Sequence, residues 1–121
     1  MLNFNIQKCI EIIKSEKDKY GFCTLFHSDG KDRRCTIGLL LSHYGWDGIS
    51  DNIYNSTDRV MYRGGSYWEK LYEELGQIPS ADIKDYYLYQ SLARINDESS
   101  SFDEVIEKLS NPEIQKQLLS R

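Results

Sequence analysis

The sequence predicts a mainly α-helical, compact single domain over residues 1–121: a bundle of five to six helices with one short β element near residues 22–27. Three observations predict it. Apolar residues recur at i, i+3, i+4 and i+7 in several segments. Ser66-Tyr67-Trp68-Glu69 and Ser101-Phe102-Asp103-Glu104 both carry the capping-box pattern that starts a helix. The 121 residues, 40% of them hydrophobic and 28% charged, suit one core rather than two.

The elements follow in chain order. Asn3 or Asn5 caps a helix that runs to about residue 19, with Ile6, Cys9, Ile10 and Ile13 on one face. Its other face carries Lys8, Glu11, Lys14, Glu16, Lys17 and Asp18, and Gly21 is expected to close it as a left-handed cap. Phe22-Cys23-Thr24-Leu25-Phe26 is short, aromatic and partly β-branched, and reads as a strand or an extended core segment. Ser28-Asp29-Gly30-Lys31-Asp32 is a turn, because Asp-Gly tolerates positive φ. Residues 35–44 are apolar on most sides and read as the buried central helix. Gly38 within it costs about 1 kcal/mol against Ala, which fits a close helix contact there.

Residues 45–65 are rich in Gly, Asn, Asp and Ser and show no period, so they read as a long loop. After the capping box at Ser66, Trp68, Leu71, Tyr72 and Leu75 form an apolar face, and Gly76 ends the helix. Pro79-Ser80 precedes a helix over about 81–95 with Ile83, Tyr87, Leu88, Leu92 and Ile95 inward. Ser101 starts a helix with Phe102, Val105, Ile106 and Leu109 inward. Asn111-Pro112 caps and starts a last helix with Ile114 and Leu118 inward.

No apolar run approaches the roughly 20 residues of a membrane span. The N-terminus lacks the basic patch and apolar core of a secretory signal. Three cysteines, Cys9, Cys23 and Cys35, match no disulfide framework. The expectation is a cytoplasmic protein whose thiols are reduced and buried as small apolar groups.

The net charge is −4, which disfavours direct binding to nucleic acid. The charge is unevenly spread. Residues 1–65 hold nine basic and eight acidic residues, a balance of +1. Residues 66–121 hold six basic and eleven acidic, a balance of −5, with Asp97, Glu98, Asp103, Glu104 and Glu107 close together. Such a cluster is either a solvated helix face or a patch that steers a basic partner.

The candidates for chemistry gather in one window. Cys23, His27, Cys35 and His43 are the candidate metal ligands, since two thiolates and two imidazoles form a zinc set. Their spacing departs from the usual tight pairs, and on a straight helix Cys35 and His43 stand about 12 Å apart. The same residues, with Asp29 or Asp47 behind, are the components of a thiol–imidazole hydrolase. His27 and His43 beside Arg33, Arg34, Arg59 and Arg63 are those of a ribonuclease. Nothing local marks an activated nucleophile. Arg63-Gly64-Gly65-Ser66 is a weak anion cradle, and Asn96-Asp97 with Ser99–Ser101 lacks the spaced oxygens of a calcium loop. The expectation is a protein without catalytic residues, metal or cofactor.

Tyrosine is in excess. Tyr54, Tyr62, Tyr67, Tyr72, Tyr86, Tyr87 and Tyr89 fall between positions 54 and 89, and Tyr86, Tyr87 and Tyr89 cannot all face one core. Exposed tyrosines suit an interface, because they bury large areas with few rotors. Asp47, Asp51, Asp58, Asp82 and Asp85 are interspersed, which suits a cationic partner.

Arg34-Cys35-Thr36-Ile37-Gly38-Leu39-Leu40 resembles a stretch found in a group of small bacterial and phage proteins of unknown function. So does Leu92-Ala93-Arg94-Ile95-Asn96-Asp97, followed by Ser101-Phe102-Asp103-Glu104-Val105. The resemblance implies no chemistry. In size, acidity and tyrosine content the chain is also similar to bacterial immunity proteins, which neutralise a cognate toxin. That similarity is one of type and carries no motif.

The function expected from these features is protein binding and inhibition, as by an immunity protein that blocks a basic toxin or nuclease. Its partner-binding residues are Asp47, Asp51, Tyr54, Asp58, Tyr62, Tyr86, Tyr89, Asp97, Glu98, Asp103, Glu104 and Glu107. The alternatives are a phage-encoded inhibitor of a host defence enzyme and the Cys/His metal protein or small hydrolase.

Overall fold

The computed structural model describes residues 4–24, 33–46, 66–76 and 90–119. These residues form six helices and one short parallel strand pair, so the fold is mainly α with a small β element. The helices are α1 (Ile6–Glu16), α2 (Thr36–His43), α3 (Ser66–Leu75), α4 (Gln90–Asp97), α5 (Phe102–Leu109) and α6 (Pro112–Leu119). The strands are β1 (Gly21–Phe22) and β2 (Arg33–Arg34).

Helix α2 is the centre. Thr36 through Leu41 are all buried, and α1, α3 and α4 pack around it. An eight-residue helix is unstable alone in water, so burial of its apolar sides holds it. Leu39, Leu40 and Leu41 are fully buried with Ile13, Leu71, Leu75, Leu92, Val105 and Leu109. Helix α5 packs on α1 and α4, and α6 covers α5.

Three helix starts follow the capping rules, whereas α3 begins at Ser66 itself, one residue earlier than a capping box with Ser66 as N-cap would place it. The Asn5 side chain accepts from the Lys8 amide at 2.9 Å. Ser101 Oγ accepts from the Glu104 amide at 3.1 Å. Glu104 Oε1 reaches back to the Ser100 amide at 2.9 Å, one residue before the N-cap position of an ordinary capping box. Asn111 Oδ1 accepts from the Glu113 amide at 2.8 Å, with Pro112 at the first helical position. Gly76 closes α3 at φ +86°, as its position predicts.

Gly21 does not act as a cap. Helix α1 ends at Glu16, a 3-10 turn covers Lys17–Lys19, and Tyr20 is already extended. Gly21 instead pairs in β1, because the parallel partner Arg33–Arg34 draws the chain into a strand. The expected β element is thus present but short. Residues 25–32, and the loop over 47–65, lie outside the described residues, as do Ile83, Tyr87 and Leu88 of the helix read over 81–95. Helix α4 holds the last part of that stretch, with Leu92 buried and Ile95 partly so.

One polar residue ties these parts together. Asn96, 1% exposed, accepts from the Thr36 amide at 2.8 Å and from the Thr36 hydroxyl at 2.7 Å. Its Nδ2 donates to the Cys23 carbonyl at 3.1 Å. So α4 holds the start of α2 and the end of β1 through a single amide.

Asn96→Ala would leave a buried N–H, hydroxyl and carbonyl without this partner. We expect a loss of about 3 kcal/mol in urea unfolding, since a buried group left unsatisfied costs about 1–3 kcal/mol. Asn96→Asp, which keeps an acceptor for Thr36 but no donor for Cys23, should also destabilise the fold.

Candidate functional site

The acidic residues singled out from the sequence gather where α4 meets α5. Asp97, Glu98, Asp103 and Glu107 are exposed there, and Glu104 is half-buried. The amphipathic pattern of α5 sets this arrangement. Phe102, Val105 and Leu109 turn inward, which leaves Asp103 and Glu107, one turn apart, on the outer face.

Two of the five are partly neutralised. Lys17 Nζ lies 3.2 Å from Asp103 and 3.4 Å from Asp18. Those carboxylates hold the Lys17 ammonium above the usual lysine range, Asp103 first and Asp18 second. Lys108 Nζ lies 3.5 Å from Glu104 and donates to the Glu98 carbonyl. The Ser100 amide holds the Glu104 carboxyl below the usual range, and Lys108 adds to this. The Glu104–Lys108 pair is legible from its i, i+4 spacing. The Lys17–Asp103 pair is not, because it joins α5 to the end of α1.

A shallow cavity of about 190 Å³ opens beside this corner. Lys17, Asp18, Phe22, Ser101, Phe102 and Asp103 line it. Phe22 and Phe102, both in its lining, meet edge to face with ring centres 5.1 Å apart. The corner therefore combines carboxylates with aromatic surface. Asp47, Asp51, Tyr54, Asp58, Tyr62, Tyr86 and Tyr89 lie outside the described residues.

The Cys/His window divides. Cys23 and Cys35 directly follow β1 and β2, one step past the Phe22–Arg34 pairing, and Cys23 acts electrostatically on Cys35. His43 stands at the other end of α2, and His27 lies outside the described residues. Among the described residues no cluster of three or more His, Cys, Asp or Glu side chains is arranged to hold a metal. Cys35 Sγ accepts from the Gly38 amide at 3.4 Å and serves as the N-cap of α2. Burial pushes the Cys35 thiol up to about 11 and the Cys9 thiol up to about 12. Both are protonated near neutral pH, which is the poor nucleophilic form.

His43 has a different partner from those the sequence suggests. Its Nδ1 lies 2.8 Å from Glu16 Oε2, and Lys19 Nζ lies 3.2 Å from Glu16 Oε1. Beside it, the Tyr44 hydroxyl donates to Glu74 at 3.1 Å, and Glu74 pairs with Lys8 at 3.3 Å. These contacts join the ends of α1, α2 and α3. Sequence reasoning placed Glu16 on a solvated face; the structure buries it at 9% exposure. Proximity of charge in sequence carries no sign of that. Arg34 is likewise buried, at 2% exposure, against the expectation for an arginine among anion-binding candidates. Its guanidinium carbon lies 4.3 Å from the centre of the Tyr20 ring and 5.4 Å from that of Trp46. Its Nε donates to Ser42 Oγ at 2.8 Å.

No protein-family model, curated protein or solved structure matches the chain.

Glu16 gives a pH prediction. Burial raises its carboxyl, but hydrogen bonds from His43 and Lys19 outweigh burial and leave it below the usual range. A carboxyl lowered in the folded state contributes stability above its unfolded value. That contribution is lost as pH falls through the lowered folded value. Urea midpoints should therefore fall below about pH 4.5, the ordinary carboxyl value, and Glu16→Gln should flatten this acid limb. An unchanged acid limb in Glu16→Gln would assign the loss to other carboxylates.

Proposed function

We propose that the protein is a non-catalytic binding protein that blocks a basic partner in the cytoplasm, in the manner of an immunity protein neutralising a toxin such as a nuclease. One observation carries the reading. Asp97, Glu98, Asp103 and Glu107 stand exposed around the α4–α5 corner, beside the aromatic-lined cavity of Phe22 and Phe102. Such a surface favours lysine and arginine on an approaching protein, and its field raises the association rate.

A nuclease cleft is basic because it holds phosphates, so a carboxylate surface competes for the same groups. In this reading Asp97, Glu98, Asp103, Glu104 and Glu107 pair with the cations of the partner. Asp47, Asp51, Asp58, Tyr54, Tyr62, Tyr86 and Tyr89 complete the proposed partner-binding set by residue type alone, as charged and aromatic side chains suited to a cationic protein. Lys17 and Lys108 restrain part of the acidic surface before contact.

The experiment compares two immobilised forms in a lysate of the source cells, the native chain and the chain with D97K, E98K, D103K and E107K. We expect a basic protein to be retained by the native form, released by salt and lost from the reversed form. In purified binding, D103K with E107K should weaken the affinity at least tenfold, mostly through slower association. Equal retention by both forms would remove the acidic corner from the interface.

A further inference from the structure

We propose that Cys23 and Cys35 are a redox pair that closes into a cross-strand disulfide when a low-molecular-weight disulfide oxidises the protein. The inference is independent of the binding function above. It rests on register. Gly21 pairs with Arg33 and Phe22 with Arg34 in parallel, so the next step of the ladder sets Cys23 beside Cys35. The Cys23 amide donates to the Arg34 carbonyl at 3.0 Å, the bond that completes the Phe22–Arg34 pairing, and Cys23 is close enough to act electrostatically on the Cys35 thiol. Cys35 itself keeps an extended backbone, at φ −81° and ψ 174°, before α2 begins.

Adjacent strands lie about 4.8 Å apart, and a disulfide spans roughly 4.4–6.8 Å between Cα atoms. Residues at matched positions on parallel strands point to the same side of the pair. Asn96 then fixes both backbones at this point, holding the Cys23 carbonyl on one side and the Thr36 amide on the other. Both side chains are thiols and both are buried. The third thiol, Cys9, belongs to α1 and acts electrostatically on Tyr44, past the opposite end of α2.

The chemistry is thiol–disulfide exchange. One cysteine of the pair loses its proton, and its sulfur attacks the small disulfide. The S–S bond of the reagent breaks and one small thiolate leaves. The second cysteine, also deprotonated, attacks the mixed disulfide and expels the other small thiolate. Two protein thiols are oxidised to one disulfide, one small disulfide is reduced to two thiols, and the two protons pass to those thiols. Burial holds the Cys35 thiol up at about 11, so the reaction is slow at neutral pH and faster in alkali. The bond draws Cys35 Sγ from the Gly38 amide that it caps, and in return closes the segment between residues 23 and 35 into a ring.

The test uses the full folded chain in buffers of graded oxidised and reduced glutathione, quenched with acid and alkylated. We expect two of the three thiols to disappear together, with the loss of two hydrogens in intact mass. Peptide mapping should show Cys23 linked to Cys35 and Cys9 alkylated. Dithiothreitol should restore all three thiols. C9A should keep the transition, and C23A and C35A should each abolish it while keeping the native far-ultraviolet spectrum. If C35A does not fold, C23A alone decides, since Cys23 caps no helix. Three thiols surviving the most oxidising buffer would overturn the proposal. So would linkage through Cys9, or tight binding of one added zinc ion per chain that C23A removes, which would make the pair half of a metal site.

Discussion

The fold depends on the Asn96 side chain. It makes three hydrogen bonds in a place where water does not reach. One end of the amide takes both polar groups of Thr36, at the first turn of the central helix. The other end takes the carbonyl of Cys23, just past β1. The first turn of a helix has amides with no partner inside the helix, and a buried start must find partners elsewhere. Cys35 Sγ supplies one acceptor, for Gly38, and Asn96 supplies another, for Thr36. Central placement of α2 is affordable only because those groups are satisfied.

The other end of α2 is treated in the same way by different chemistry. His43 meets the buried carboxylate of Glu16, Tyr44 meets Glu74, and Trp46 lies over the guanidinium of Arg34. The helix is therefore apolar along its length and polar at both ends. Its middle contributes most of the burial. Its ends fix rotation and position, because hydrogen bonds and ring contacts are directional where apolar contact is not. Among the described residues no buried side-chain nitrogen or oxygen lacks a partner.

Legibility followed the range of the interaction. The helices were readable because their signals are local. Asn5, Ser101, Asn111 and Gly76 act on residues within four positions, and the apolar period of α5 spans eight. The buried helix around Leu39–Leu41 was readable because few soluble segments are apolar on every side. Gly21 was misread because its conformation is decided by Arg33, twelve residues on, which pulls it into a strand. Glu16 and Arg34 were misread for a related reason. Charge predicts exposure only until a partner from another helix removes the cost of burial, and that partner has no fixed spacing. For the acidic corner, the sequence showed the carboxylates but not the lysine from α1 that restrains Asp103.

The long reach of Asn96 also orders events during synthesis. Its bonds join positions separated by 60 and 73 residues. A chain emerging from the ribosome displays Thr36 and Cys23 long before Asn96 can arrive. Until then the start of the central helix has no such acceptor, and closing so long a loop is slow compared with forming a local turn. The backbone groups of Thr36 and Cys23 therefore wait for Asn96, and Leu39, Leu40 and Leu41 wait for the C-terminal helices that complete their burial. Commitment to the native fold is postponed until the acidic C-terminal helices have been made.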